Sequence, residues 1–473
     1  MRDANAELRR PSMNDTGGLA SAVMVSRTGW VLAAIALVEL TKHIALLSLG
    51  QAQPWGDSFG YWNLGGDAAA GDWWLSGSGN AQRTPGYPWI VAVCRWMFDT
   101  AGLLSVVLLQ HGCVLVTSLM TTWITWRLTE RVSAAAVAWA WCALSTARPL
   151  YANWLLTETL ATCALMLVVV ALLRAASHRP LRWMVIASGV LGCGILIRPA
   201  LVAVVPALAA GAWWIGNEAD TRRQRWARVG ASLAVLAVLL TPWCVRNGMQ
   251  FHCFTLTIST GRQLWKSAFD PWPGGELPIP QDGAGAGVRE RLPEGTVDLR
   301  HNWSVSSALA RSGLADHEVD ALMEQAAWQA IRRNPGRFLI RLAARCATFW
   351  YVREWEVDSK FVDQADFAEQ TEFRIRPWQP TLRQLLRYTP ERWFPAMWAW
   401  SVVTWLGIAG LIVRPAQRRI GWVLALILMG MTFITAGLEV PLYRYRLVVE
   451  PLMIVASVAG IARLFRRTRE VCG

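Results

Sequence analysis

Long apolar runs recur along the chain, separated by short polar segments in which arginine is common. A helix that crosses the hydrocarbon core of a bilayer needs about 17–25 mostly apolar residues. The pattern predicts ten membrane-spanning helices, at residues 27–48, 102–126, 132–149, 154–174, 183–198, 200–216, 228–245, 394–413, 419–437 and 444–464. The predicted fold class is therefore an all-α polytopic membrane protein.

The arginine-rich segments between these runs indicate how the chain is oriented. Cytoplasmic loops of membrane proteins carry an excess of Lys and Arg. With ten spans and a cytoplasmic N-terminus, the basic segments all fall in the cytoplasm; they are residues 127–131, 174–182, 222–228, 414–419 and 463–469. Residues 1–26 and 465–473 are then cytoplasmic tails, and residues 1–26 lead into an uncleaved first helix.

The same topology divides the rest of the chain into three parts. We expect an N-terminal transmembrane bundle at 27–245, an external juxtamembrane region at 246–393 and C-terminal transmembrane helices at 394–464. A first external loop, rich in Trp, Gly and Pro, occupies residues 49–101 of the bundle.

Two helices are predicted within the external region. Residues 316–333 have the pattern of an amphipathic soluble helix, and residues 335–352 place Arg337, Arg341 and Arg345 on one face. If 335–352 crossed the membrane, the next basic segment would lie outside. We therefore expect this helix to lie on the membrane surface, with a full span as the alternative.

Composition and charge agree with a membrane protein. Hydrophobic residues make up 54% of the chain and charged residues 17%, which is little charge for the surface of a soluble domain. The net charge of +13 suits cytoplasmic loops and anionic lipid headgroups, so we expect membrane lipids and no nucleic acid as partners. The nine cysteines form no CxxC pair, which argues against a zinc site or a disulfide framework.

Several charged residues lie at the external ends of the predicted spans, where the positive-inside rule does not favour cations. They are Arg83, Arg148, Arg198, Arg246, Arg444 and Arg446, with the acids Asp57 and Glu158. Charges at membrane level are unfavourable unless paired, and they are candidates for function. For any single arginine, local pairing or contact with headgroups is an equal alternative. For six on one side, we favour a shared anionic ligand.

Arginine suits phosphate because its planar fork donates two hydrogen bonds and stays charged. At the external membrane boundary, the phosphate expected is that of a lipid. Asp57 lies in the segment Gly-Asp-Ser-Phe-Gly-Tyr just after the first span, where a carboxylate can take a proton from an attacking hydroxyl. The alternative for Asp57 is an N-cap of a helix that begins near Ser58.

Other chemistries find little support. No Walker loop, dinucleotide fingerprint or Gly-x-Ser-x-Gly segment occurs, and the six histidines form no metal-like cluster. Glu39, Lys42 and His43 lie in the first span, where we expect them to pair inside the bundle and not to bind metal. Tryptophans of the first external loop suit a membrane interface or the stacking of sugar rings.

A set of short motifs follows the chain in a consistent order. They are Gly56-Asp57-Ser58 through Tyr61, Gly71, Arg83-Thr84-Pro85-Gly86-Tyr87-Pro88, Leu156-Thr157-Glu158, Arg198-Pro199, Pro242-Trp243 with Arg246-Asn247, the helix Ala326–Pro335 before Gly336-Arg337-Phe338, and Tyr443-Arg444-Tyr445-Arg446. Together they resemble the bacterial family-39-like glycosyltransferases, relatives of the dolichyl-phosphate-mannose protein mannosyltransferases and of the lipid A aminoarabinose transferase.

The resemblance implies a C-type glycosyltransferase-like helical bundle with about ten transmembrane helices and an external active site. It implies inverting transfer of a sugar from a polyprenyl-phosphate carrier to an acceptor hydroxyl of a protein, lipid or glycan, at the periplasmic face of the inner membrane. By the same resemblance Asp57 is the catalytic base, the donor phosphate is bound by Arg83, Arg198, Arg444 and Arg446, and the supporting residues are Tyr61, Glu158 and Arg246. This chemistry requires no cofactor, and no metal is demanded because fixed arginines can neutralise the leaving phosphate.

Two departures from the relatives concern the substrate more than the fold. Ser58 follows Asp57 where the relatives usually carry an Asp-Glu pair, and the proline usual just after the late arginine motif is absent. Two other functions remain open, a transporter or flippase for a lipid-linked glycan and a non-catalytic partner in glycan assembly. A transporter needs polar residues along a whole path, for which Glu39 and Lys42 are the mid-bilayer candidates.

Overall fold

The computed structural model describes residues 16–49, 57–77, 82–177, 179–216, 220–270, 274–292, 297–351, 397–415, 417–439, 441 and 443–471. These ranges contain α-helices and short 3-10 turns but no strand. The predicted all-α class is confirmed.

Six helices in the described ranges are long and apolar enough to cross a membrane. They are residues Thr28–Ser48 of α1 (Thr16–Leu49), α4 (Gly102–Thr129), α7 (Glu158–Ser177), α8 (Pro180–Ile197), α10 (Arg222–Phe251) and α17 (Arg418–Leu438). Four shorter apolar helices follow the same pattern at Val132–Leu144, Pro199–Trp214, Trp398–Val413 and Glu450–Ala462. These ten segments coincide with the ten predicted spans, as expected of a multi-pass membrane protein.

The remaining helices, in chain order, complete the described fold. Near the first external loop lie α2 (Asp57–Ala69) and α3 (Gly86–Phe98), and within the bundle lie α5 (Val132–Leu144), α6 (Ala147–Tyr151) and α9 (Val205–Trp214). The external region forms α11 (Thr260–Phe269), α12 (Gly283–Glu290), α13 (Asn302–Arg311), α14 (Asp316–Arg333) and α15 (Pro335–Tyr351). The C-terminal part forms α16 (Met397–Val413), α17 (Arg418–Leu438), α18 (Tyr443–Arg446) and α19 (Glu450–Val471).

One apolar core joins the N-terminal and C-terminal helices. The central helix α7 is buried on almost every side, and its residues share a cluster with those of α8, α9, α17 and α19. Helices α16 and α19 approach closely because Gly407 faces Gly460 and the backbone of Ala456; a Cβ at Gly407 would lie 2.0 Å from the Ala456 carbonyl oxygen. Small residues permit such close helix packing in membranes, where no hydrophobic effect drives association.

The polar residues of the first span are paired with the bundle, as expected. The ammonium group of Lys42 donates to the carbonyl oxygens of Cys142, Ala143 and Ser145 at the end of α5, at 3.1, 2.8 and 2.7 Å. The indole N–H of Trp139 donates to the Glu39 carboxylate at 2.7 Å. A cation at a helix C-terminus is favoured by the exposed carbonyl groups there. This contact also marks a break in the predicted span 132–149, because α5 ends at Leu144 and α6 begins separately at Ala147.

The external helices α11 to α14 form a small core of their own. The fully buried guanidinium of Arg262 pairs with Asp316 and Asp320. The Asp320 carboxylate also accepts the backbone N–H groups of Gly261 and Arg262, at 3.0 and 2.9 Å, at the beginning of α11. Gly261 is required here, since a Cβ would lie 1.8 Å from the Asp320 carbonyl oxygen. These contacts fix how α11 faces the membrane bundle.

Helix α15 buries arginines and exposes apolar residues. Arg341 donates to the carbonyl oxygens of Ser267, Asp270 and Gly275, and Arg345 to those of Ala436 and Glu439. The two arginines thereby tie the C-terminal ends of α11 and α17 together. On the opposite side, Leu339 and Ile340 are 62% and 66% exposed. An apolar outer face is typical of a helix against lipid, and its position on the membrane surface stays a prediction.

Candidate active site

A cavity of about 390 Å³ lies beside α11, at the ends of the apolar helices that the predicted topology places outside. Its volume falls in the range of about 300–1,000 Å³ typical of small-ligand sites. Five charged residues predicted from the sequence line it, Asp57, Arg83, Glu158, Arg198 and Arg444, together with two that were not predicted, Lys266 and Glu439. Segments far apart in the sequence therefore meet at one site.

Asp57, the first residue of α2, lies between two arginines. Its carboxylate oxygens are 3.2 Å from Arg83 Nη2 and 3.2 Å from Arg444 Nη1. Arg83 Nη1 also donates to the backbone carbonyl oxygen of Asp57 at 2.6 Å. Among the described residues, the hydrogen bonds of the carboxylate go to these arginines and not to a backbone N–H of α2. The geometry is thus that of an ion-paired acid and not of an N-cap.

The charges around Asp57 set its protonation. Burial by itself raises the pKa of the Asp57 carboxyl, but Arg444 and Arg83 outweigh it and hold the pKa below its ordinary value. For the guanidinium of Arg444, burial by itself lowers the pKa. Tyr445, Glu158 and Asp57 outweigh burial and raise this pKa well above its ordinary value. Both groups are therefore charged at neutral pH.

Glu158 and Glu439 both form ion pairs with Arg198, and Glu158 also lies near Arg444. Glu158, the first residue of α7, is buried, and its Oε1 lies 3.1 Å from Arg198 Nη1 and 3.9 Å from Arg444 Nε. Arg198 Nη1 also donates to the Thr157 hydroxyl at 2.9 Å, while Nη2 lies 3.5 Å from a Glu439 oxygen. Acids and arginines alternate around the cavity. Each arginine therefore has a carboxylate as its partner, which favours the charged form of both groups.

Tyr61 and two glycines explain the spacing of the first-loop motifs. The guanidinium of Arg83 lies over the Tyr61 ring, 4.3 Å from its centroid. A Cβ at Gly60 would lie 2.3 Å from Arg83 Nη1, so glycine leaves the room that this stacking needs. A Cβ at Gly86 would meet the Leu196 backbone at 2.7 Å, so glycine also lets α3 approach the end of α8.

Two predicted residues lie elsewhere. Arg246 donates to the carbonyl oxygens of Trp74 and Leu75, at 3.0 and 2.5 Å, and so holds the segment after α2. Arg446 is completely buried beside Glu450, whose Oε1 lies 3.3 Å from its Nε. The structure does not place either guanidinium in the cavity. Arg148, also noted as an external cation, is buried in α6 away from it.

Lys266 and Glu439 also line the cavity, although no sequence motif predicted either residue. Lys266 lies on α11, near enough to Asp57 and Arg444 to affect them electrostatically. Burial first, then Arg444, lowers its pKa.

In the part of the chain that the structure describes, no group of three or more His, Cys, Asp or Glu residues is arranged to hold a metal ion.

The sequence profile of the dolichyl-phosphate-mannose-protein mannosyltransferase family matches residues 82–244. This segment contains Arg83, Glu158 and Arg198 of the cavity. The match confirms the resemblance predicted from the motifs. The fold and the match together define a multi-pass, all-helical membrane protein related to these glycosyltransferases.

Solved structures that align with this chain include an archaeal and a bacterial protein. The oligosaccharyltransferase AglB from Archaeoglobus fulgidus, in complex with an inhibitory peptide and a dolichol-phosphate, aligns at 15% identity and a TM-score of 0.45, over 93% of this chain and 50% of that one. ArnT from Cupriavidus metallidurans bound to undecaprenyl phosphate aligns at 16% identity and a TM-score of 0.37, over 93% and 78%. This chain spans half the length of the archaeal chain. No curated protein sequence matches it.

Proposed function

We propose that this protein is an inverting membrane glycosyltransferase that moves a sugar from a polyprenyl-phosphate carrier to an acceptor hydroxyl. The acceptor belongs to a protein, a lipid or a growing glycan, and the reaction takes place at the periplasmic face of the inner membrane. The observation that carries the proposal is a single carboxylate, Asp57, whose oxygens lie 3.2 Å from Arg83 and 3.2 Å from Arg444.

The proposed roles follow from charge. The donor phosphate enters between Arg83, Arg198 and Arg444 and takes the place of the carboxylates as their partner. Asp57, released from its ion pairs, accepts the proton of the acceptor hydroxyl as that oxygen attacks the anomeric carbon. The bond from this carbon to the phosphate oxygen breaks on the opposite face, and its electron pair leaves with the polyprenyl phosphate. The arginines stabilise the added negative charge.

The pKa of Asp57 supports this order of events. Arg444 and Arg83 lower that pKa and make the carboxylate a weak base. A phosphate that neutralises these arginines raises the pKa and strengthens the base. Base strength then increases when the donor is bound, which limits unproductive proton transfer in the empty site.

The competing functions have less support from the described residues. Glu39 and Lys42, the candidates for a mid-bilayer transport path, are paired with Trp139 and with the end of α5. A non-catalytic partner, the other alternative, has no need of a base. Removal of the Asp57 charge therefore separates an enzyme from a scaffold.

The test uses full-length protein in lipid with radiolabelled polyprenyl-phosphate sugars and an envelope extract as acceptor. Wild type is expected to release label from at least one donor, and Asp57→Asn is expected to lower the rate about 10²–10⁴-fold. Asp282→Asn is the matched control, because it removes another aspartate–arginine pair, with Arg333 at 2.6 Å, outside the cavity.

Equal transfer by wild type and Asp57→Asn would show that Asp57 is not the base. Binding of undecaprenyl phosphate is measured in parallel, so that a missing donor is not mistaken for a missing activity. If wild type neither transferred a sugar nor bound undecaprenyl phosphate, the proposed function would be wrong.

A further inference from the structure

The cavity has two walls of different chemistry. The charged residues described above form one wall. The other wall carries uncharged hydroxyl and amide groups and an indole ring, contributed mainly by the external region: Gln82, Thr257, Ser259, Gln263 and Trp303. We infer that this neutral wall is a subsite for the transferred sugar, and that it takes an uncharged, hydroxyl-rich sugar. The inference rests on the proposed function, since it assigns the sugar end of the same donor.

Gln263 presents a hydrogen-bond acceptor that the protein does not use. Its side chain lines the cavity, and its Oε1 is buried without a hydrogen bond to any residue that the structure describes. Buried polar atoms without a partner are unfavourable and uncommon in folded proteins. A sugar hydroxyl is a donor of suitable size for this atom.

A second acceptor follows from the directions of the hydroxyl hydrogen bonds. The Thr257 hydroxyl donates its hydrogen to the Gln82 carbonyl oxygen at 2.6 Å. The Thr257 and Ser259 hydroxyl oxygens are 2.9 Å apart, so Ser259 must be the donor in that contact. The lone pairs of the Ser259 oxygen remain for a ligand. Ser259 and Gln263 thus offer two acceptors, four residues apart, to a molecule with several hydroxyl donors.

Trp303 adds the flat surface that a sugar ring can stack on. It is the second residue of α13, it lines the same cavity, and it is 42% exposed. Large aromatic rings combine an apolar face with a polar edge, which suits a ligand that has both C–H faces and hydroxyl groups.

Helix α11 places this wall next to the charged wall. Ser259 lies at its beginning, Gln263 one turn further, and Lys266 about 5 Å beyond Gln263 along the helix axis. Lys266 interacts electrostatically with Asp57 and Arg444. A donor bound with its phosphate near the arginines therefore has its sugar beside Gln263. The neutral wall itself provides no charged group, so an ionised sugar would depend on Lys266 for a counter-charge and would lose hydration at the other side chains.

The test compares two kinds of lipid, without and with a linked sugar, on the same full-length protein in nanodiscs. Affinity is measured for undecaprenyl phosphate and for undecaprenyl phosphate linked to glucose, mannose, galactose, glucuronic acid or 4-amino-4-deoxy-arabinose. The variants Gln263→Leu and Trp303→Ala are each expected to weaken binding of the neutral glycosylated lipid about fivefold to tenfold. Binding of undecaprenyl phosphate is expected to stay unchanged. Trp328→Ala is the matched control, because Trp328 is also 42% exposed in the external region but does not line the cavity.

The other outcomes separate the subsite from the function. Equal weakening of both lipids would assign these residues to folding or to the phosphate site and would overturn the subsite. A wild-type preference for the uronic or amino sugar would overturn its neutral chemistry. Binding of undecaprenyl phosphate with none of the sugar-linked lipids would overturn the subsite alone, whereas failure to bind any of the lipids would overturn the proposed function as well.

Discussion

At the scale of single residues, the site depends on how neighbouring positions divide their roles. Arg444 and Arg446 are two residues apart in α18, so their side chains leave the helix about 200° apart. One faces the cavity and Asp57, and the other faces Glu450 in the core. The motif Tyr-Arg-Tyr-Arg identified both as phosphate ligands, because a sequence motif does not tell which of two alternating cations faces inward.

The pKa of Asp57 predicts how the reaction depends on pH. Arg444 is the largest electrostatic cause that lowers this pKa. Arg444→Gln should therefore raise it, and the acid limb of kcat/KM, which reports the free enzyme, should move to higher pH. The variant Arg333→Gln, which breaks an exposed pair with Asp282, should leave the limb in place. If the acid limb of kcat/KM in Arg444→Gln stayed at the wild-type pH, the rate would not depend on the ionisation of Asp57.

Gly60 offers a test of Arg83 that does not remove its charge. A Cβ at this position would lie 2.3 Å from Arg83 Nη1, which is the mobile end of a long side chain. Gly60→Ala should thus keep the thermal midpoint while displacing Arg83 and weakening undecaprenyl-phosphate binding by about tenfold. Gly230→Ala has nothing within 4 Å of its new Cβ and serves as the control. Unchanged binding in Gly60→Ala would argue against a role for Arg83 in holding phosphate.

At the scale of helices, the apolar pattern predicted the positions of the apolar helices well and their first and last residues less well. All ten predicted spans coincide with apolar helices. The predicted span 132–149 is interrupted after Leu144, where the carbonyl groups at the end of α5 accept hydrogen bonds from Lys42, about a hundred residues away in sequence. The predicted span 200–216 begins as a 3-10 helix at Pro199–Val204. Long-range contacts of this kind leave no local trace in hydrophobic periodicity.

The close crossing of α16 and α19 predicts a sharp difference between two glycines on one helix. Gly407→Ala would press a methyl group against the Ala456 carbonyl and should destabilise the protein by about 1–3 kcal/mol. Gly410→Ala meets nothing within 4 Å and should instead stabilise α16 by about 0.5–1 kcal/mol. Thermal unfolding in detergent followed by fluorescence measures both. A lower midpoint for Gly410→Ala than for Gly407→Ala would contradict this packing.

At the scale of the whole molecule, the proposed site needs parts that no single region supplies. Motif order led to Asp57, Arg83, Glu158, Arg198 and Arg444, which the fold gathers around one cavity. The external helix α11 contributes Lys266 and Gln263, and neither could be predicted, since a lone lysine or glutamine on an amphipathic helix is ordinarily solvated. Their placement depends on the tertiary contacts of Arg262 with Asp316 and Asp320.

The proposed orientation makes a prediction about access from the two sides of the membrane. Single cysteines introduced at Ser312 and at Glu130 should differ in labelling by a membrane-impermeant maleimide in intact spheroplasts. Ser312→Cys, in the external region, should react at once, whereas Glu130→Cys, in a predicted cytoplasmic loop, should react only after permeabilisation. The wild-type cysteines provide the background. The reverse pattern would place the cavity on the cytoplasmic side.

Two buried arginines of α15, Arg341 and Arg345, connect this helix to two helices beside the cavity. Arg341 and Arg345 clasp the ends of α11 and α17, which bear Lys266 on one side of the cavity and lead to Glu439 on the other. The outer face of the same helix, with Leu339 and Ile340, is exposed where acyl chains would touch it. If α15 lies on the membrane surface, as predicted, lateral pressure in the bilayer acts on the width of the cavity. Transfer rates in vesicles of graded acyl-chain length should pass through an optimum, and Arg345→Leu should flatten that dependence.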